Sequence, residues 1–111
     1  MKTIIQTTKA PAPIGPYNQA ILVDNTLFTS GQIALDPKTM ELVNRDIEME
    51  TTQVMKNLCE VLKAAGMDFA DVVKTTIFLN DMEDFVKVNE IYGSYFNHKN
   101  APARETVQVA A

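Results

Sequence analysis

The sequence has little of what staples, ligates or interrupts a chain: one cysteine, one histidine, no tryptophan and four glycines among 111 residues. The lone Cys59 excludes an internal disulfide framework, and without a CxxC pair or a Cys/His cluster no structural zinc is expected. Cys59 itself lies on a helix flank and reads as a buried, inert thiol. His98 has no second metal ligand and no serine or cysteine in an elbow motif to serve. It reads as a residue just past a helix end, where positive charge is welcome. No apolar run approaches the roughly 20 residues of a membrane span. The stretch "MKTIIQTTKAPAP" meets prolines before any long hydrophobic segment, unlike a secretory signal. P-loop, GxGxxG, HExxH and GxSxG motifs are missing. The expectation is a soluble protein of a reducing compartment, the cytoplasm.

Positive charge is also short. Lysine and arginine total 10 against 14 acidic residues, a net charge of −4, and the basic residues are scattered rather than gathered in a stripe. Nucleic acid, which needs a basic surface, is therefore an unfavoured partner.

What is present fits a single domain, large enough to bury roughly two-thirds of its unfolded surface. "TIIQTT" (Thr3–Thr8) reads as a short strand, and "APAPIGPY", with Pro11, Pro13 and Pro16, as an extended loop. "AILV" and "TLFTSG" flank Asp24-Asn25, a pair that tolerates positive φ, and predict a β-hairpin. "DPKTME" is a turn leading to a short extended piece. A helix is predicted from about Asp46, its N-cap, to Ala65, with Val54, Leu58, Val61, Leu62 and Ala65 on one face and Gly66 as the C′ residue. "DVVKTTIFLN" alternates as a strand. A second helix is predicted from about Met82 to Phe96, striped by Phe85, Val88, Tyr92, Tyr95 and Phe96. The cluster Asp81, Glu83 and Asp84 at its start is explained by the helix dipole. "NAPARETVQVAA" supplies a last strand over Ala103–Ala111.

The order is β-β-β-α-β-α-β, and two helices can cover one face of such a sheet. In the last strand the valines suggest that Glu105, Val107 and Val109 face the helices. Arg104, Thr106, Gln108 and Ala110 are then left on an uncovered, semi-polar face. Such a face predicts a homo-oligomer.

Arg104 leaves a strand end two residues after Pro102, which fixes the chain direction. A planar guanidinium there can grip a carboxylate with two parallel bonds, so Arg104 is a candidate anion clamp. Gly31, in "SGQI", is either a bulge or a backbone left open for a ligand beside the Ser30 hydroxyl. Tyr17 is either a packed aromatic with a wet hydroxyl or part of a site. Asn89 is either a helix-surface residue or a hydrogen-bonding side chain aimed at a cleft.

Together "APAPIGPYNQA", "LFTSGQIALDPKT", "VVKTTIFLNDMEDFVKVNEIY" and "APARETVQVAA" closely resemble the YjgF/RidA family from about Thr7 to the last residue. The resemblance implies a chorismate-mutase-like α+β fold, assembled as a homotrimer with clefts between subunits. It implies hydrolysis of 2-iminopropanoate and 2-iminobutanoate to 2-oxo acids and ammonia, with no metal or organic cofactor. Those imines are released by pyridoxal-phosphate-dependent serine and threonine dehydratases. Arg104 matches the family's carboxylate-binding arginine, Tyr17 its I-G-P-Y tyrosine, Ser30 and Gly31 its Ser-Gly pair, and Asn89 the asparagine of the second helix. Glu105 stands where many members have serine, and Thr106 where many bacterial members have cysteine, which excludes a thiol role there and leaves Thr106 as a substrate-binding candidate. Members continue into a further strand carrying a glutamate that positions water. The chain is expected to be a truncated form lacking it, and Glu105 is no substitute because adjacent strand residues face opposite ways. Two alternatives remain: a non-catalytic regulatory module binding small carboxylates or 2-oxo acids, and a ribonuclease or translation inhibitor, which the acidic balance disfavours.

Overall fold

The structure, a computed structural model, describes residues 1–110; Ala111, the end of the expected last strand, lies outside the described residues. Strands β1 (Lys2–Ile5), β2 (Ala20–Val23) and β3 (Thr26–Thr29) form an antiparallel sheet in that order. The hairpin between β2 and β3 turns at Asp24, whose φ of +53° is the left-handed value the sequence allowed for. β1 stops short of the expected Thr8 because Thr7 N–H donates to Gln19 Oε1 at 2.8 Å rather than to a neighbouring strand. The buried Gln19 amide also donates to the carbonyls of Thr7, Ala10 and Pro11, which ties down the proline-rich loop.

Helix α1 (Ile47–Ala64) starts and stops as its sequence dictates. Met49 N–H donates to Asp46 Oδ1 at 2.7 Å, and Gly66, at φ +73°, donates its N–H to Lys63 O. Its inward face differs from the expected one. Thr51, Met55, Asn57, Val61 and Leu62 are buried, whereas Val54 and Leu58 are half-buried. The helix is turned so that Asn57, 1% exposed, donates to the carbonyls of Ile33 (3.1 Å) and Leu35 (2.9 Å) and accepts from Gln53 Nε2. A buried amide with all these bonds outweighs the modest gain of fully burying Val54. Val61 packs with Ile5, Ala10 and Ala20, flanked by Leu22, Leu27 and Ala65, which clamps α1 to the three-stranded sheet. Leu35 and Leu42 form one antiparallel bridge, the short extended piece expected after the "DPKTME" turn.

Strands β4 (Lys74–Leu79) and β5 (Ala103–Gln108) are parallel, and parallel neighbours need a crossover, here helix α2 (Phe85–Gly93). α2 is shorter than the predicted 82–96. Met82–Asp84 form a 3₁₀ turn instead, capped by Asp81, with Met82 N–H donating to Gln108 Oε1 at 2.8 Å. Val88 and Tyr92 are buried from the predicted stripe.

The face assignment of β5 is the reverse of the sequence expectation. The register pairs Thr75 with Arg104, Ile77 with Thr106 and Leu79 with Gln108, and this even-numbered side of β5 faces α2. Glu105 and Val107 lie on the open side with Lys74, Thr76 and Phe78; Phe78 is 66% exposed and Val107 41%. Glu105 Oε1 stands 3.6 Å from Lys74 Nζ and accepts from Thr76 Oγ1, so its charge is satisfied away from the helices. The open face is thus not the semi-polar one expected but carries an exposed phenylalanine and valine.

Candidate active site

The 3₁₀ turn His98–Asn100 is capped by Asn97, whose side chain accepts from Lys99 N–H. Pro102 follows and sets the chain extended into β5. Arg104, the second residue of the strand, points toward α2. There Phe85, Asn89 and Tyr92 stand at i, i+4 and i+7, one face of the helix.

Arg104 Nη1 donates to Asn89 Oδ1 at 2.6 Å. Its Cζ lies 5.6 Å from the Phe85 ring centroid and 5.1 Å from that of Tyr92, both within cation–π range. Among the described residues the ion pairs are Lys63–Glu60, Lys74–Glu105 and Lys87–Glu48. Arg104 has no carboxylate partner among them. A guanidinium carries five N–H donors, so one bond to Asn89 leaves a charged, planar fork available for an anion. Asn89, with its oxygen turned to Arg104, adds an amide N–H₂ beside that fork.

The fork opens on a cleft of about 600 Å³ lined in part by Asn89, Glu90, Tyr92, His98, Pro102 and Arg104. Arg104 and Asn89, proposed separately from the sequence, are therefore one unit. Thr106 follows on the same side of β5. Its Oγ1 is buried and has no hydrogen-bond partner among the described residues, and it does not line the cleft.

The other candidates form a separate group. Ser30 donates its hydroxyl to Asn18 O at 2.6 Å and its N–H to Gln19 O. Tyr17, 49% exposed, accepts from Ile14 N–H, and its ring lies 3.8 Å from where a Cβ on Gly15 would stand. Gly31 has an ordinary φ and open space where a Cβ would point, so nothing local demands glycine there. None of the three lines the cleft or hydrogen-bonds to Arg104 or Asn89. Among the described residues no group of three or more His, Cys, Asp or Glu could hold a metal ion, and no helix is long and apolar enough to cross a membrane.

Sequence reading missed that the Phe85 and Tyr92 rings flank Arg104 and that Thr75 stands opposite it in the ladder. The signal was the placement of Asn89 between two aromatics on one helix face. The aromatics were read only as an apolar stripe, and Asn89 apart from them, because periodicity does not say what the stripe covers.

The family model described as Endoribonuclease L-PSP matches residues 7–111. The chain belongs to the YjgF/RidA family. It is 56% identical over 108 residues to a RutC family protein of Synechocystis, covering 96% of this chain and 83% of that protein. It is 53% identical to the human 2-iminobutanoate/2-iminopropanoate deaminase, covering 100% of this chain and 80% of the human one. A solved structure of a Rid-family protein of unknown function from Yersinia pestis superposes with a TM-score of 0.96 at 47% identity, covering 100% of this chain and 88% of that one. The two helices packed on a small β-structure are thus the YjgF/RidA fold, as the sequence resemblance implied.

Proposed function

We propose that the chain hydrolyses small 2-imino acids, 2-iminobutanoate and 2-iminopropanoate, to the 2-oxo acids and ammonia. The observation that carries this reading is the guanidinium of Arg104, without a carboxylate partner among the described residues and held by Asn89 at the mouth of a cleft. The kinship with a relative named as the deaminase of these two acids supports it. Arg104 takes the substrate carboxylate through two parallel N–H···O bonds, each charge-assisted bond contributing about 1.5–3 kcal/mol. Asn89 orients the fork. The electrophilic C2 then stands beyond the carboxylate, where water adds to C=N. The carbinolamine formed loses ammonia as the C–N bond breaks, and C2 becomes the carbonyl of the 2-oxo acid.

Tyr17, Ser30 and Gly31 complete the pocket in this reading, with Tyr17 orienting the imine, whereas the buried Thr106 hydroxyl, outside the cleft lining, is not in reach of the substrate within one chain. Since the first three do not reach Arg104 within one chain, a neighbouring copy in a homotrimer delivers them. The exposed Phe78 and Val107 supply apolar surface for such an assembly. Glu105 has no part, because it is engaged with Lys74 and Thr76 on the opposite sheet face.

Threonine supplied to a threonine dehydratase generates the imine, whose decay is followed with and without this protein. Acceleration that disappears in Arg104→Ala supports the reading. If the variant is as fast as the parent, the clamp is wrong. Binding of 2-oxobutanoate without acceleration would identify a carboxylate-binding module instead.

A further inference from the structure

Arg104 is a long side chain on the surface, and such a group ordinarily samples many rotamers. Here Tyr92 meets it. Tyr92 is 8% exposed, and its ring packs 4.7 Å from that of Phe96. A phenylalanine would serve that packing equally well. The tyrosine hydroxyl, however, lies 2.6 Å from Thr75 Oγ1, and Thr75 is the residue directly opposite Arg104 in the parallel ladder. The two opposed residues of β4 and β5 therefore reach the same ring, one by hydrogen bond and one by cation–π contact.

We infer that Tyr92, anchored by Thr75, is a positioning residue for Arg104. With Phe85 it fixes the plane of the guanidinium so that the fork is aligned before a carboxylate arrives. This rests on the proposed role of Arg104 as the carboxylate clamp. Preorganisation of this kind lowers the ordering cost of binding and so acts on affinity. The anchor also gives the buried Tyr92 hydroxyl its hydrogen-bond partner. If the ring slid along the strand, the Thr75 bond would be lost and the buried hydroxyls would stand unpaired.

Arg45 and Arg104 are the chain's two arginines, so ¹⁵N-arginine NMR resolves this directly, with Arg45 as internal reference. Arg104 is expected to show ring-current-shifted guanidinium protons and slowed Nη rotation that Arg45 lacks. Both signatures weaken in Tyr92→Phe and equally in Thr75→Val, and the double variant adds little. Tyr92→Leu abolishes them, with thermal melts verifying that each variant is folded. In imine hydrolysis the two conservative variants are expected to raise KM about three- to tenfold with kcat within about twofold, the pattern of lost uniform binding. A guanidinium as mobile as that of Arg45 in the parent protein overturns the inference. So does Tyr92→Phe with unchanged NMR signatures and unchanged KM. If instead Arg104 is held but its removal leaves imine hydrolysis intact, the positioning stands and the deaminase reading falls.

Discussion

Arg104 Nη1 and Asn89 Oδ1 lie 2.6 Å apart, joining the start of strand β5 to the middle of α2 across a parallel crossover. This bond uses a neutral acceptor. The positive charge therefore stays uncompensated and available to a ligand, which distinguishes the pair from a structural ion pair.

Replacing that neutral acceptor by a charged one should close the site. Asn89→Asp is expected to form a salt bridge with Arg104 and weaken 2-oxobutanoate binding more than Asn89→Ala does. Calorimetric titration checks the order: roughly tenfold or more for the aspartate against several-fold for the alanine, given about 0.5–1.5 kcal/mol for a neutral hydrogen bond. Equal losses would show that Asn89 contributes only packing.

Arg104→Lys keeps the charge but loses the planar fork. The rate constant kcat/KM for the imine should fall by about 10- to 100-fold, since one charge-assisted bond of a bidentate pair is lost. Thermal stability should be unaltered, because Arg104 is exposed. Retention of full activity in the lysine variant would mean that a point charge suffices.

Thr106 carries a buried hydroxyl with no partner among the described residues. Thr106→Val removes it without changing the side-chain shape and should stabilise the fold by about 1 kcal/mol, several degrees in Tm for a domain of this size. If Thr106 binds substrate, the same variant raises KM. A lowered Tm would mean that the hydroxyl is satisfied in solution.

Asn57→Leu should be strongly destabilising. It strips donors from the carbonyls of Ile33 and Leu35 and leaves Gln53 without its acceptor, at about 1–3 kcal/mol for each buried group left unpaired. Urea unfolding measures it, and a loss below about 1 kcal/mol would show that water replaces the amide.

Phe78→Asp places a charge on the open face of β4. If copies of the chain join through that face, sedimentation should shift to the monomer and imine hydrolysis should fall with it, since Tyr17, Ser30 and Gly31 would be lost from the site. An unchanged assembly would locate the contact elsewhere.

Local features were legible in the sequence because local geometry decides them. Asp24 adopts its positive φ, Asp46 caps α1, and Gly66 ends it, each through the chain within a few residues. The parallel pairing of β4 with β5 was consistent with a helix lying between them. The covered side of β5 was not legible. Glu105, Val107 and Val109 look like an inward set, yet the register places Arg104, Thr106 and Gln108 against α2 beside Thr75, Ile77 and Leu79. The apolar side chains that fill that layer come mainly from β4 and α2, so the pattern within β5 carried little of the choice.

Similarly, Val54 and Leu58 gave way to Asn57 because a loop twenty or more residues earlier needed its carbonyls capped. By itself the sequence determined the elements and their order, the two ends of α1, and the presence of an arginine poised two residues after a proline. Tertiary structure alone decided what surrounds that arginine. Periodicity marks which residues share a face, but only the packing of distant segments selects the neighbour that each face meets.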